Sequence, residues 1–307
     1  MAKSLTNKQS YSTGIRVFGL FFAALFLTGC SNVELFQPKG PVARDEALLI
    51  STAFALMLIV VIPVFVLAIW IAIRYRASGN NADYRPEWAK SMKLEFLIWS
   101  VPIAIVLALA WLSWTSTYRL DPYKPIPSEA QPLRVEVVSL DWKWLFIYPD
   151  YHVATVNEIV LPANTPLNFR LTSATVMTSF FIPQLGSQMY AMAGMQTQLH
   201  LLADETGVFD GHNQEFSGTG YATMHFKAVV TTPEQFNAWI QNARKSPKAL
   251  SMAEYEALNE PGGDHPVTIY SSVESGLFDR IVGQFTGWKN ADAPMKPAMQ
   301  QKATERD

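Results

Sequence analysis

Two stretches of this chain are apolar almost without interruption. Residues 47–73 hold no charged side chain, and residues 94–114 hold one, Glu95, at their N-terminal edge. A helix rises ~1.5 Å per residue, so the first run outspans a hydrocarbon core of ~30 Å and must tilt or protrude; the second has about the minimum length to cross. Pro63 predicts a local kink in the first. Pro102 lies inside the second, and Trp111 and Trp114 sit where an interfacial belt would be. Residues 116–132, with Pro122, Pro125, Pro127 and Pro132, read as an extended tether. The period then changes. Short β-branched and aromatic runs recur at residues 133–140, 142–148, 158–161, 166–171, 177–182, 196–202, 207–210 and 223–230. That spacing predicts an all-β Greek-key sandwich. Helical signals follow: Thr232 as a cap with Pro233 at the first position and an apolar stripe of Phe236, Trp239 and Ile240, then Ser251 with Glu254 three residues on. Gly262 and Gly263 break the second helix, and from residue 291 the polar composition predicts disorder.

The fold class expected is membrane α + β: a two-helix transmembrane hairpin, an all-β domain and a C-terminal helical extension. The expected boundaries are 46–115 for the hairpin, 116–132 for the tether, 133–230 for the β domain, 231–290 for the extension and 291–307 for the tail. Before the hairpin, Lys3, Lys8 and Arg16 precede an apolar run at 17–27 that is too short for a comfortable span and right for a signal peptide. It ends in Leu27-Thr28-Gly29-Cys30, a bacterial lipobox. The expectation is a signal peptide over 1–29, cleavage before Cys30, a diacylglycerol on its thiol, and a linker over 30–45. The bland alternative is a buried free cysteine in an N-terminal helix. Ser31 is not the aspartate associated with inner-membrane retention, but spanning helices would hold the protein there.

Charge orients the hairpin. Its loop carries Arg74, Arg76, Arg85, Lys90 and Lys93 against Asp83 and Glu87. The positive-inside rule makes that loop cytoplasmic and both hairpin ends periplasmic, which agrees with an acylated Cys30. Overall formal charge is only −2, so there is no electrostatic case for nucleic acid. Hydrophobic residues make up 49% against 16% charged, an excess concentrated near the N-terminus, as membrane spans require. Cys30 is the single cysteine, which excludes an intrachain disulfide and a multi-cysteine metal site. The histidines, His152, His200, His212, His225 and His265, lack metal-helix spacing, although His212 and His225 flank one loop and could be near one another. Met189, Met192, Met195 and Met224 suggest a copper-chaperone cluster, against the commoner role of methionine as gap-filler. There is no Ser-His-Asp ordering and no phosphate loop.

The most informative segment is residues 207–230, GVFDGHNQEFSGTGYATMHFKAVV, which reads as strand, glycine-punctuated loop, strand. It resembles the copper-binding loop of subunit II of the haem–copper respiratory oxidases, Cys-x-Glu-x-Cys-Gly-x-x-His-x-x-Met, which holds the dinuclear CuA site. Glu215, Gly218 and Met224 match. Asn213 and Ser217 stand at the cysteines, and Tyr221 at the histidine. The upstream histidine of the family precedes a Ser-aromatic run leading to Pro and Leu-Gly; here Thr178 precedes Ser179-Phe180 and Pro183, Leu185 and Gly186 follow. Thiolates and imidazoles are what select copper, and these positions lack both. The pattern of loss resembles the quinol-oxidising, cytochrome bo-type branch.

That resemblance implies a cupredoxin-like periplasmic domain that binds no cofactor. Haems and CuB would belong to subunit I, subunits III and IV would be further partners, and ubiquinol would be the substrate of the whole enzyme. Lys93-Leu94-Glu95, with Trp99 and Pro102, also resembles the family pattern at this helix, where the glutamate lies at the entrance of a proton channel into subunit I. The alternative for Glu95 is an interfacial carboxylate paired with Lys93 or Arg85. In copper-bearing relatives an aromatic run like residues 141–148 lies near the path of electrons from cytochrome c; here core packing and subunit contact is the reading. Tyr221 is expected to fill the vacated histidine space. Residues 266–282 resemble the extra C-terminal extension of the bo-type subunit. Two rivals stay open: a CuA-bearing cytochrome c oxidase subunit, and a free-standing copper-binding or copper-chaperone lipoprotein.

Overall fold

The computed structural model describes residues 33–76, 87, 90–263 and 265–286. Cys30, the expected signal peptide, Asp83, Arg85 and the expected tail lie outside them. The chain divides into two compact units after Gln37. The described part of the first is a single turn, Glu34–Phe36.

The second unit begins with two helices, α1 (Pro41–Arg74) and α2 (Met92–Arg119), that pack on one another and are long and apolar enough to cross a membrane. Both exceed their expected bounds. α1 starts inside the expected linker because Gly40 caps it in an extended conformation and Pro41 supplies a pre-set first position. Its first turns carry charge that hydropathy alone assigns to a loop. Arg44 pairs with Asp204 at 2.6 Å and Asp45 with Arg119 at 3.2 Å, while Lys39, just before the helix, pairs with Glu205 at 2.5 Å. α2 runs into the expected tether for the matching reason, since Arg119 finds its partner on α1. Pro63 and Pro102 lie inside continuous helices.

The β domain is a two-sheet sandwich. One sheet holds β1 (Leu133–Leu140), β2 (Lys143–Tyr148), β3 (Val153–Val156), β5 (Leu167–Ser173), β8 (Thr197–Leu201) and β11 (Thr268–Tyr270), in the order β11-β3-β2-β1-β5-β8. The other holds β4 (Glu158–Pro162), β10 (His225–Thr231) and β9 (Gly207–His212), with β10 central. A hairpin of β6 (Thr178–Phe180) and β7 (Met189–Ala191) completes it. β1 and β5 are parallel, as are β10 and β4, so the sheets are mixed. Aromatics fill the space between them: Phe180 stacks on Phe226 at 5.1 Å, and Trp144 and Phe146 meet both rings. Tyr148 ties the sheets together. Its buried hydroxyl donates to Val160 O at 3.0 Å and accepts from Val160 N at 2.8 Å. Asn157 makes the corner between β3 and β4 in a left-handed conformation that asparagine tolerates; its side chain accepts from Trp144 N at 2.9 Å and donates to His265 O at 2.8 Å.

β2 is buried along its whole length, which a one-sided sandwich strand would not be. The outer face of the large sheet is covered by the C-terminal extension. Helix α3 (Pro233–Ala243) forms with its expected threonine cap, which Gln235 completes as a capping box, and packs Phe236 and Ile240 into the inter-sheet core. α4 (Met252–Asn259) and α5 (Leu277–Thr286) lay Tyr255, Leu258, Phe278 and Ile281 against Val138, Leu145, Ile147 and Val156. Ser251 caps α4 as expected, by accepting from Glu254 N. At the other end of α4, Lys143 Nζ donates to Glu260 O at 2.7 Å, a cation meeting a helix C-terminus. The extension is more than helical, because β11 adds an edge strand beside β3.

An ionic cluster seats α5. Glu136 and Arg170 are cross-strand partners, 2.7 Å apart, and Arg170 also reaches Asp279 of α5 at 3.0 Å and Gln196 at 2.7 Å while lying 4.8 Å over the Phe278 ring. Glu136 is 9% exposed, and burial, helped by nearby Asp279, pushes its carboxyl up to about 7 despite Arg170. A carboxyl raised on folding binds protons more tightly in the native state, so its contribution to stability is present below the unfolded value near 4.5 and is lost as pH rises to about 7. Urea unfolding of the detergent-solubilised protein, followed by tryptophan fluorescence, should therefore show stability falling over that window. Glu136→Gln should remove a fall on the order of 2–3 kcal/mol; parallel pH curves for the two proteins would remove Glu136 from this role.

Candidate functional site

β9 and β10 pair in antiparallel register with His212 opposite His225, so their mouth presents Asn213 against Met224. β6 lies across this mouth. The result is a small polar centre organised by Asn213, which is 4% exposed. Its Oδ1 accepts from Ser179 N and from Glu215 N, each at 2.9 Å. Its Nδ2 donates to Glu215 O at 2.7 Å and Ser217 Oγ at 3.1 Å, and lies 3.5 Å from Met224 Sδ. Ser179 Oγ in turn accepts from Gln214 N at 2.8 Å. A side chain with two donors and two acceptor lone pairs can stitch a tight loop to a neighbouring strand in this way.

The loop is clamped from outside by Trp142. Its backbone sits at φ 60°, uncommon for a bulky residue, and its indole Nε1 donates to Ser217 O at 2.9 Å. Gly218, at φ 102°, and Gly220 let the loop lie flat on the indole; a Cβ at Gly220 would fall 2.2 Å from the ring. Trp142 therefore acts through packing and positioning, in keeping with the core reading of the aromatic run.

Among the positions read from the sequence, Asn213, Glu215, Ser217 and Met224 come together. Thr178 is buried at 1% exposure on β6, and its hydroxyl makes no hydrogen bond among the described residues. Tyr221 is half-buried, and its ring packs on Phe216, 5.8 Å away and 79% exposed. His212 and His225 do approach, at 6.1 Å between ring centroids, with Phe181 as a third ring at 5.7 Å from His212. Met189 and Met192 belong to the β7 segment, where Met192 O accepts from Thr172 and Ser173, and neither joins Met224 in the Asn213 network. The hub role of Asn213 was not read from the sequence, although an Asn just after a strand and ahead of a glycine loop is a recognisable turn signal.

The side chains present do not fit a dinuclear copper site. An amide, hydroxyls and one thioether replace thiolates and imidazoles, and Asn213 already directs its N–H bonds to Ser217 and Glu215. Among the described residues no three His, Cys, Asp or Glu side chains converge. Glu95 lies in the first turn of α2, exposed, with its backbone N–H bonded to Ser91 O at 2.9 Å. Among the described residues it forms no ion pair with Lys93, and Arg85 lies outside them.

Two family profiles match. "Cytochrome C oxidase subunit II, periplasmic domain" covers residues 149–231, and "COX Aromatic Rich Motif" covers 244–288, the extension. A cytochrome bo(3) ubiquinol oxidase subunit 2 from Pseudomonas putida is 50% identical over 274 residues, 89% of this chain and 87% of its own. The chain belongs to the ubiquinol oxidase subunit II family. This is a branch of haem–copper oxidase subunit II, and a further relative, ubiquinol oxidase subunit 2 of Acetobacter aceti, is 46% identical over 86% of each chain. Among solved structures, the periplasmic domain of subunit II of cytochrome oxidase from Bradyrhizobium japonicum aligns with a TM-score of 0.37 and 25% identity, over 39% of this chain and 98% of its own. Membership fits the sandwich with its two apolar helices.

The Asn213 network makes the centre self-supporting. Asn213→Ala would strand the buried Ser179 and part-buried Glu215 backbone N–H groups, at ~1–3 kcal/mol each, so a loss of roughly 2–6 kcal/mol is expected in urea unfolding. Ser217→Ala, which leaves those two bonds intact, should cost about 1 kcal/mol or less. Equal costs for the two variants would deny Asn213 its central place.

Proposed function

We propose that this subunit serves a proton-pumping cytochrome bo-type ubiquinol oxidase without carrying electrons itself. The observation that supports this most is the centre at Asn213, where hydrogen bonds take the place that thiolates hold in copper-bearing relatives. Electrons would pass from ubiquinol to the haems and CuB of subunit I without crossing this polypeptide. Its own jobs are mechanical and protonic. The hairpin packs on subunit I, with subunits III and IV as further partners, and the β domain caps the oxidase on the periplasmic side of the inner membrane. Lipid on Cys30 would add an anchor beside the two helices. Glu95, at the cytoplasmic end of α2, would collect protons for a path into subunit I; its position at the helix start and its exposed carboxylate suit that role.

Purification through a tag on this chain is expected to bring down a large haem-bearing subunit, with quinol oxidase activity and no cytochrome c oxidase activity. The isolated subunit should hold copper well below stoichiometry and show no mixed-valence absorbance. Copper at one or two ions per chain, or a chain that purifies alone, would support one of the two rivals instead. Glu95→Gln should leave the complex assembled and slow proton-coupled turnover by roughly tenfold, equivalent to ~1.4 kcal/mol of barrier. Unchanged turnover would make Glu95 an interfacial carboxylate only.

A further inference from the structure

We propose that the outer end of the hairpin holds one aminophospholipid, with its phosphate at Arg119 and Lys124 and its amine at Asp45 and Asp121. The proposal rests on the reading that the hairpin spans a bilayer. Two hollows meet at Arg119. The first, ≈ 210 Å³, is a slot between α1 and α2 with Leu48, Leu49 and Leu112 in its wall and Asp45 and Arg119 at its rim. The second, ≈ 240 Å³, lies under the β domain and is lined by Arg119, Asp121, Lys124 and His200. Both hollows are walled mainly by apolar groups, with Arg119 common to the two and Asp121 and Lys124 in the upper one, which matches a glycerophospholipid with one acyl chain along the helices and its headgroup above.

The level in the membrane agrees. Trp111, Trp114 and Tyr118 on the same end of α2 are all exposed, and Trp114 meets Tyr118 at 5.2 Å. Aromatic side chains of this kind collect at the headgroup plane. Arg119 spends one edge of its fork on Asp45 at 3.2 Å, leaving donors for a phosphate, which guanidinium geometry suits. Lys124 has no ion pair among the described residues and adds a second cation. The lining also decides the headgroup. Asp45 and Asp121 oppose a purely anionic lipid, and a choline headgroup has no N–H to give them; a primary ammonium does. His200, 8% exposed with its Nδ1 held against Pro122 O at 3.1 Å, helps to shape the hollow.

Native mass spectrometry of the intact oxidase complex tests this, after exchange into detergent containing equal phosphatidylethanolamine, phosphatidylglycerol and phosphatidylcholine. Arg119→Gln/Lys124→Gln is expected to retain one phosphatidylethanolamine fewer than the parent. Leu112→Trp, which fills the slot and leaves the charges in place, should lose the same molecule. Cys30→Ser should leave the count unchanged. The proposal is overturned if both slot variants keep the parental count, or if the molecule they lose is the glycerol or choline lipid. It is also overturned if Cys30→Ser gains a phospholipid, because the chain's own acyl groups would then be the occupant. The presence of the haem-bearing subunit in each spectrum separates the two failures: an intact complex with unchanged lipid sinks the lipid site alone, whereas a parent chain that flies without partners sinks the hairpin reading beneath it.

Discussion

The burial of β2 on both faces is the constraint from which most of this domain follows. Lys143–Tyr148 carries bulky side chains toward both sides of the sheet, and every one is buried. One face is met by the small sheet through Trp144, Phe146 and Tyr148. The other leaves Leu145 and Ile147 needing a cover that no strand of the sandwich provides. The C-terminal extension is that cover, and it is held by means that suit its position: β11 joins the sheet edge, Lys143 grips the end of α4, and Arg170 grips α5. Burying apolar area of this extent contributes ~25 cal/mol per Å², so the extension is an integral part of the β domain's stability.

The same strand connects to the Asn213 centre. Trp142 immediately precedes β2, and its indole is the floor on which the loop of residues 217–220 rests. The geometry of this loop is determined by an amide. A metal would hold such a loop through bonds to the ion; Asn213 holds it through bonds to backbone groups on either side. That arrangement fixes the loop through the protein's own groups.

How much could be read beforehand depended on where the information lies. β1 was legible to the residue because it is long and its pattern is clear. β3 and β7 were missed because they are short, with pairing partners elsewhere supplying their order. The early start of α1 was missed because Arg44 and Asp45 look like loop residues until Asp204 and Arg119 are placed beside them. At the site, the grouping of Asn213, Ser217 and Met224 was legible through the resemblance of the loop to a copper-binding loop. The packing of Tyr221 on Phe216 was not, because it depends on the local turn at Tyr221–Thr223. The acceptor role of Asn213 toward Ser179 was also hidden, since it joins residues far apart in sequence.

The Tyr148 hydroxyl has a further implication. β4 is an outer strand of its sheet, and the backbone groups on its unpaired side are of the kind that invite another chain to add on. At Val160 both of those groups are occupied by one phenol from the opposite layer. The protein thus guards the middle of an open border with a side chain, between Glu158 and Pro162 at the ends of the strand. Loss of a single oxygen there would cost stability and also uncover a template for intermolecular strand addition and aggregation.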